Sequence, residues 1–277
     1  FSTDEHYVQH AAVAMASVLE YTTQSSRLHF FLFFETLSSS AVSRVRQTVE
    51  GYGASIDFCP ISADVDTSYY VSGQLSKAIY YRLRIPELLP PAVDRVLYLD
   101  CDLLVRADIA ELWSMDMQGK PVAAVPDFGI MASCGKWKNK QRDLGFSADD
   151  LYFNSGVLLM DVVAWRAYRY GERVAEFAAT HEYRHHDQDA LNLVFHRNWT
   201  PLPLRWNVIP PVWQLFLKVL LRERFRIPAL EARAHIAIHH YAGGYKPWEY
   251  EEYDGFNDVY YRLLKKTAFW DASMPQF

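Results

Sequence analysis

The sequence predicts an α/β fold in which a mostly parallel central sheet is flanked by helices. Two observations support this prediction. Short apolar runs of strand length alternate with segments whose apolar residues recur at helical spacing. Several of these runs also end in an acidic or amide residue, at the place where α/β sheets bind their ligands. Alternating strands and helices imply right-handed βαβ units, whose helices cover both faces of the sheet.

In the first hundred residues, the predicted helices and strands alternate. Ser38 and Gly51 bracket the second helix as an N-cap and a terminal glycine. Lys77 and Arg82 lie on a helical pattern that runs into Pro86. The predicted elements are a helix over 7–22, a strand over 29–34, a helix over 38–51, a strand over 55–61, a helix over 75–89 and a strand over 95–100.

The remaining residues continue this pattern with one long interruption. The segment 128–150 is rich in Gly, Lys, Asn and Asp and is predicted to be a loop that is either mobile or in contact with substrate. Asp187 is predicted to cap the helix that follows it. No linker composition divides the chain, so a single domain is expected. The other predicted elements are strands over 121–127, 152–161 and 235–241, and helices over 162–181 and 258–266.

Composition argues against several classes of protein. The net charge of −5 comes from 33 acidic and 28 basic residues without a long run of either sign, so nucleic acid is not an expected partner. Cys59, Cys101 and Cys134 show no CxxC spacing, which indicates neither a disulfide framework nor a zinc site and fits a reducing cytoplasm. No apolar stretch reaches the roughly 20 residues that cross a bilayer. Because the chain begins at Phe1 without Met, an incomplete start is expected.

Asp100 and Asp102 stand one residue apart at the end of the apolar run 96–99. Two hard oxygen donors at a strand end suggest a site for Mg²⁺ or Mn²⁺, with coordination positions left for water or phosphate oxygens. A strand that simply ends in polar loop residues is the alternative, and the pair alone does not decide between the two.

Three later segments carry polar groups of matching kind. His240 would add an imidazole to the carboxylates, a mixed ligand set that suits Mn²⁺ better than Mg²⁺. Because successive side chains of a strand alternate, His239 is predicted to face away. Glycines let the backbone approach a phosphate and Lys246 adds a positive charge, which suggests a diphosphate clamp. The segments contain Asn154, then Asp187-Gln188-Asp189, then His240 with Gly243, Gly244 and Lys246.

The motifs and their order resemble glycosyltransferase family 8. The similarity rests on YLDCD at 98–102, FNSGVLL at 153–159, DQDALN at 187–192 and HYAGGYKPW at 240–248, of which the last is the most specific. It covers nearly the whole chain and is closest to the bacterial lipopolysaccharide α-galactosyl- and α-glucosyltransferases. The resemblance implies a GT-A type nucleotide-diphospho-sugar transferase fold, a UDP-sugar donor, a Mn²⁺ (or Mg²⁺) cofactor and retention of anomeric configuration.

The resemblance also implies a substrate class and an internal organisation. The expected reaction moves galactose or glucose from UDP-galactose or UDP-glucose to a glycan acceptor, in lipopolysaccharide or cell-surface polysaccharide synthesis in the cytoplasm. Within the single domain 1–277, a nucleotide-binding half over 1–125, a sugar and acceptor half over 126–250 and a C-terminal helical tail over 251–277 are expected.

The family motifs assign roles to residues of this chain. His6 stands where the family often has Asn at the position that contacts the ribose. The implied metal ligands are Asp100, Asp102 and His240. The implied donor contacts are Gly243 and Lys246 on the diphosphate, Arg82 on the sugar and phosphate, and Ser2, Asp4 and His6 along the uridine. The residues implied around the transferred hexose are Asp127, Asn154, Asp187 and Gln188.

The chemistry of these groups fits the implied reaction. Breaking a sugar–phosphate bond requires stabilisation of the negative charge that grows on the leaving diphosphate, which a cation and Lys246 supply. Gln188 is a weak nucleophile, so front-face attack by the acceptor hydroxyl is favoured over a covalent intermediate. In this hypothesis Gln188 stabilises the anomeric region and Asp187 bonds to sugar hydroxyls.

Two other functions remain open on the sequence. Residues 100–105 also resemble the Asp-x-Asp strand of haloacid dehalogenase-type phosphohydrolases, although that strand normally opens its domain and about a hundred residues precede it here. A catalytically silent sugar-nucleotide-binding protein is the second alternative. The basic, aromatic tail helix fits either a peripheral contact with the inner face of the membrane or a plain amphipathic helix. The histidines His181, His185 and His186 are interpreted as structural or solvent-exposed.

Overall fold

The computed structural model describes residues 1–61, 78–180, 184–213, 223–244, 246–249 and 257–271. Within these ranges the strands are β1 (His29–Phe34), β2 (Ser55–Pro60), β3 (Arg95–Leu99), β4 (Leu103–Val105), β5 (Val122–Pro126), β6 (Phe153–Asp161), β7 (Thr200–Pro201) and β8 (Ile238–His240). The α-helices are α1 (Val8–Tyr21), α2 (Ser39–Gly51), α3 (Ala78–Leu88), α4 (Ile109–Trp113), α5 (Phe128–Met131), α6 (Cys134–Leu144), α7 (Val162–Ala167), α8 (Tyr170–Thr180), α9 (His186–Val194), α10 (Pro210–Trp213), α11 (Glu223–Ala234) and α12 (Asn257–Leu264).

The α/β class with flanking helices is confirmed, but the described strands form three sheets with mixed pairing, so the detail of a mostly parallel sheet is wrong. Within the described ranges, β1 pairs with β2 and β5 with β7 in parallel, whereas β6 runs antiparallel to both β3 and β5, and β4 runs antiparallel to β8. The reason lies in the segment between β5 and β6. It leaves and returns at the same end of the sheet, where the Asp127 amide donates to the Tyr152 carbonyl at 2.8 Å, so the returning strand must reverse direction.

Side chains of the central strands alternate between two hydrophobic clusters. Leu99, Val157 and Leu159 belong to one cluster, and Tyr98 and Leu158 belong to the other. Helices α1 and α2 contribute to the first cluster, and α3, α8 and α9 contribute to the second. Helices therefore cover both faces of the sheet, as the predicted α/β class requires.

Strand β6 carries an irregularity in its pairing with β5. Its pairing with β3 is regular up to Val157, and the Asp100 amide continues it by donating to the Gly156 carbonyl at 2.9 Å. On the other side, β5 pairs with Leu158 and next with Asn154, so residues 155–157 have no partner in β5. Such a bulge releases backbone polar groups from the ladder.

The segment 128–150 contains two helices, so its prediction as a loop is wrong. The Asp127 carboxylate caps α5 by accepting from the Ile130 amide, and the Ser133 hydroxyl caps α6 by accepting from the Lys136 amide. Gly145 ends α6 in the left-handed conformation, with a φ of 72°. Start and stop signals thus outweighed the polar composition on which the loop prediction rested.

Two other predicted helices differ in detail. The helix predicted over 162–181 is interrupted at Arg169, whose φ is 52°, and forms α7 and α8 instead. Asp187 lies in the first turn of α9 rather than at its N-cap, which is His185. The remaining predicted elements are present with ends shifted by at most a few residues. Lys77, His181 and much of the tail over 251–277 lie outside the described residues.

The tail helix α12 packs against α1. The Tyr260 hydroxyl lies 2.6 Å from His10 Nδ1, and the His10 ring stacks on Trp248 at a centroid distance of 3.6 Å. Burial lowers the pKa of His10 to about 3, so this stacked ring stays neutral near pH 7. In the ranges that the structure describes, no helix is both long and apolar enough to span a bilayer.

Replacing Gly171 with Ala is expected to destabilise the fold. A Cβ at this position would lie 2.4 Å from the Leu83 carbonyl oxygen, where α8 crosses α3, and backbone cannot move aside cheaply. We expect a loss of about 1–3 kcal/mol in the free energy of unfolding, measured by urea denaturation. Gly135→Ala is the matched control, because no heavy atom lies within 4 Å of its Cβ and it lies in α6. Equal stability of the two variants would contradict this packing.

Candidate active site

Asp100, Asp102 and His240 come together at the ends of two strands. The carboxylates follow β3, and His240 ends β8, where it is paired with Leu103 of β4. One ligand atom from each of the three residues lies within 4.8 Å of the others. His240 Nε2 is 3.2 Å from Asp102 Oδ1 and 3.8 Å from Asp100 Oδ2. Such an O,O,N set could hold a divalent cation.

Gly156 makes this approach possible, and its role was missed in the sequence. A Cβ at this position would lie 2.3 Å from His240 Cε1 and 2.8 Å from Asp100 Oδ2. Any other residue would therefore occupy the space of the two candidate ligands. The glycine belongs to the motif at 153–159, which was the available signal, but its spacing alone does not show what it faces.

Hydrogen bonds fix which nitrogen of His240 carries the proton. The Gly156 amide donates to Asn154 Oδ1 at 3.0 Å, so that atom is an oxygen, and Asn207 Nδ2 donates to it at 2.8 Å. Asn207 therefore turns its Oδ1 toward His240 Nδ1, 2.8 Å away. The proton sits on Nδ1, which leaves the Nε2 lone pair facing the carboxylates. This fits a metal ligand, because ligating histidines usually donate their other N–H to such a partner.

Two basic side chains face the acidic pair. Lys246 Nζ lies 2.5 Å from Asp102 Oδ2 and 2.8 Å from the Tyr241 carbonyl oxygen. Burial opposes ionisation of Asp102, but the Lys246 ammonium outweighs it and holds the pKa of Asp102 well below its usual value. Arg82 Nη2 lies 3.0 Å from Asp100 Oδ1. Each carboxylate of the acidic pair thus lies against a positively charged side chain.

Arg82 connects the acidic pair to the second polar cluster. It is buried, and it reaches Asp187 Oδ2 at 3.2 Å, the Ser155 carbonyl at 2.9 Å and the face of the Tyr98 ring at 4.8 Å. Asp187 is also buried, and burial raises its pKa to about 6, although Arg82 opposes this rise. Arg82 therefore compensates the buried charge of Asp187 only in part.

Gln188 lies at the centre of the second cluster. Its Nε2 donates to Asp127 Oδ2 and to the Tyr152 hydroxyl, each at 3.1 Å. Its Oε1 accepts from the Ser155 amide at 3.0 Å and from Asn154 Nδ2 at 3.1 Å. Because Asn154 also bonds to Asn207, the two clusters form one continuous network.

The predicted uridine contacts behave differently from one another. The Ser2 hydroxyl lies 3.1 Å from the Tyr98 hydroxyl, which donates to Asp100 at 2.7 Å, so Ser2 joins the network. Asp4 Oδ1 instead accepts from the His6 and Tyr7 amides in the turn that precedes α1, and His6 is exposed.

Gly243 has a φ of 97°, a conformation that favours glycine, and has open space around it. Among the hydrogen bonds of the described ranges, none links the side chains of Asp4 or His6, or Gly243, to the network. The residues brought together are Ser2, Arg82, Asp100, Asp102, Asp127, Asn154, Asp187, Gln188, His240 and Lys246.

Comparison with known proteins identifies the family. The model of glycosyl transferase family 8 matches residues 1–252. The chain belongs to this family. It is 29% identical over 269 residues to the general stress protein A of Bacillus subtilis, covering 95% of this chain and 91% of that protein. It is 24% identical over 279 residues to the lipopolysaccharide 1,2-glucosyltransferase of Escherichia coli K12, covering 100% and 79% of the two chains.

A solved structure confirms the predicted fold. The galactosyltransferase LgtC, in complex with donor and acceptor sugar analogs, superposes with a TM-score of 0.84 at 23% identity. The match covers 100% of this chain and 96% of LgtC. The protein is therefore a family 8 glycosyltransferase with the GT-A type fold.

Removing the partner of His240 Nδ1 is expected to weaken metal binding. Asn207→Ala leaves His240 free to turn or to change its tautomer, and we expect the affinity for Mn²⁺ to fall about 10–100-fold. Titration calorimetry with Mn²⁺ measures this directly. Asn198→Ala is the control, because that side chain contacts Lys120 and Tyr170 and lies outside the network. Unchanged affinity in Asn207→Ala would contradict the inferred tautomer.

The buried Asp187 carboxylate predicts a pH-dependent stability. Its folded-state pKa of about 6 exceeds the ordinary 3.8, so the cost of ionisation is absent below about pH 4, grows between about pH 4 and 6 and is complete above about pH 6. In metal-free buffer, Asp187→Asn should be more stable than wild type at pH 7.5 by up to about 3 kcal/mol, with the gap closing towards pH 4. Urea denaturation across this range tests it, with the exposed Asp143→Asn as a control for lost charge. A constant gap would contradict the burial cost.

Proposed function

We propose that this glycosyltransferase transfers galactose or glucose, with retention of anomeric configuration, from a UDP-sugar to a glycan acceptor. The observation that carries the proposal is the ligand set of Asp100, Asp102 and His240, placed between Lys246 and the Arg82–Asp187 pair. A bound Mn²⁺, or less favourably Mg²⁺, would neutralise charge on the leaving diphosphate.

Lys246 and Arg82 are the protein's own cations next to the proposed metal ligands. In the structure, Lys246 is held against Asp102 at 2.5 Å and Arg82 against Asp100 at 3.0 Å. Both cations are largely buried, so their interaction with a diphosphate would be screened little by water. Gly243 and Ser2 are assigned to donor binding next to them, and Asp4 and His6 to the uridine.

The cluster around Gln188 supports the assignment of the hexose site. Asp127, Asn154 and Gln188 are buried and hydrogen-bonded to one another, and the buried Asp187 forms an ion pair with Arg82. Gln188 presents an amide rather than a carboxylate, so we assign it to stabilising charge at the anomeric carbon during front-face attack by the acceptor hydroxyl. Asp187 is assigned to hydroxyl groups of the hexose.

The relatives support the choice of donor and pathway. One relative is named a lipopolysaccharide 1,2-glucosyltransferase, and LgtC is a galactosyltransferase. We therefore assign the protein to lipopolysaccharide or cell-surface polysaccharide synthesis in the cytoplasm, with residues 1–125 holding the nucleotide and residues 126–250 the sugar and acceptor. A peripheral membrane contact through α12 is less favoured, because Lys266 pairs with Glu20 and Lys265 lies over Trp270.

The phosphohydrolase alternative has little structural support. It would require Asp100 or Asp102 to be a free nucleophile. The Asp100 carboxylate instead accepts from Tyr98 and pairs with Arg82, and Asp102 pairs with Lys246. These contacts suit a carboxylate that holds a cation in place.

Release of UDP tests the proposed function. With Mn²⁺ and a panel of UDP-sugars, we expect UDP formation that stops on addition of a chelator and returns with Mn²⁺. Asp102→Asn should reduce the rate by about 100-fold or more, since loss of a direct ligand should exceed the effect of an outer one. Asp57→Asn is the control, because this exposed carboxylate pairs with His29 on β1.

Three results would contradict the proposal. UDP formation that is insensitive to the chelator would exclude the metal role. Phosphate release from phosphomonoesters without UDP would favour the phosphohydrolase. Donor binding without any turnover, in the presence of a range of glycan acceptors, would favour the silent binding protein.

A further inference from the structure

Gln188 owes its orientation to a buried chain of hydrogen bonds behind it. The Ser155 amide can only donate, so the atom of Gln188 that faces it must be Oε1. Nε2 then points to the opposite side of the carboxamide and needs acceptors for two protons. Asp127 accepts one, and the Tyr152 hydroxyl accepts the other, each at 3.1 Å.

Tyr152 can accept from Gln188 only because its own proton is directed elsewhere. The side chain is fully buried, and its hydroxyl donates to Asp189 Oδ1 at 2.6 Å. Burial, and next the charge of Asp189, raises the pKa of Tyr152 well above its usual value, so the hydroxyl keeps this proton. Its lone pairs are therefore left for Gln188.

Three donors hold Asp189 in turn: the Tyr152 hydroxyl, the Lys140 ammonium and the His185 backbone amide. Lys140 Nζ lies 2.5 Å from both carboxylate oxygens, and the His185 amide donates to Oδ2 at 3.0 Å. Asp189 is 1% exposed and Lys140 is 3% exposed, so neither charge has access to bulk water. Loss of one partner of such a buried pair strongly destabilises the protein, because the other charge is left buried without its counter-charge.

The chain of hydrogen bonds from Lys140 through Asp189 and Tyr152 to Gln188 connects two helices. Lys140 lies on α6, in the segment that was predicted to be a loop, whereas Asp189 and Gln188 lie on α9. Tyr152 immediately precedes β6 and bonds to both Asp189 and Gln188. Helices α6 and α9 are therefore both coupled to the orientation of one amide.

We propose that Tyr152, with Asp189 and Lys140 behind it, is a positioning residue that holds the Gln188 carboxamide in its working orientation. The inference rests on the proposed function, in which Gln188 faces the reacting carbon. Tyr152 does not contact the donor in this role, so its loss should slow transfer without weakening donor binding.

Tyr152→Phe is the primary test, because it removes one oxygen and keeps the buried ring. We expect kcat to fall about 10–100-fold, as for other small misplacements of a reacting group, with KM for the donor and Kd for UDP within about 2-fold of wild type. Gln188→Ala sets the scale of complete loss. Tyr170→Phe is the matched control, since it also removes a buried tyrosine hydroxyl, one that contacts Asn198 at 3.4 Å. Wild-type kcat in Tyr152→Phe, or a loss carried by KM alone, would overturn the proposal.

Asp189→Asn tests the direction of the chain with almost no change in volume. The His185 amide cannot become an acceptor, so the Asn oxygen must stay opposite it and the NH₂ group must face Tyr152. The Tyr152 proton is then turned toward Gln188 Nε2, which is itself a donor. We expect a loss of kcat of the same order as in Tyr152→Phe, and a wild-type kcat would overturn the role of Asp189.

A spectroscopic readout separates this inference from the proposed function. In protein labelled with ¹⁵N-glutamine, the side-chain amide signal of Gln188 is identified by its absence in Gln188→Ala. Both of its protons should exchange slowly with solvent in wild type, and one should exchange faster in Tyr152→Phe but not in Tyr170→Phe. Unchanged exchange in Tyr152→Phe would overturn the positioning role. If wild type forms no UDP from any UDP-sugar, the proposed function fails, and the exchange result alone decides whether Tyr152 holds Gln188.

Discussion

The bulge in β6 is the constraint on which the rest of the site depends. Residues 155–157 leave β5, and pairing with β3 ends at Val157 and the Gly156 carbonyl. The Ser155 amide and carbonyl and the Gly156 amide therefore need other partners. Gln188 accepts from the Ser155 amide, Asn154 accepts from the Gly156 amide, and Arg82 donates to the Ser155 carbonyl. Because a backbone amide can only donate, the carboxamides of Gln188 and Asn154 each have one permitted orientation.

The Ser155 and Gly156 amides orient Gln188 and Asn154, and these two side chains in turn orient further polar groups of the site. One path runs through Asn154 and Asn207 to His240 and leaves its Nε2 lone pair facing the carboxylates. The other runs through Gln188 and Tyr152 to Asp189. Groups that are already oriented need no reorganisation when charge develops on a substrate, which is the usual source of electrostatic catalysis.

Much of this arrangement could be predicted from the sequence, and the failures have physical causes. The strands and most helices follow from local periodicity and caps, and the family motifs brought the acidic pair, His240 and Gln188 into one hypothesis. The loop prediction over 128–150 weighed polar composition above the cap signals of Asp127 and Ser133. The prediction of a mostly parallel sheet failed because the direction of a strand depends on where the long connection before it returns to the sheet. Local sequence patterns do not encode that point.

The sequence by itself determined most of the helices and strands, the family and most of the polar residues that meet in the site. Only the tertiary structure decided that Gly156 must lack a side chain, that Asn207 sets the tautomer of His240, and that Tyr152 lies behind Gln188. Asn207 belongs to none of the recognised motifs and lies 53 residues from its partner Asn154. The direction of a hydrogen bond depends on which donors and acceptors face each other across the fold, and that is fixed only when the distant segments have packed together.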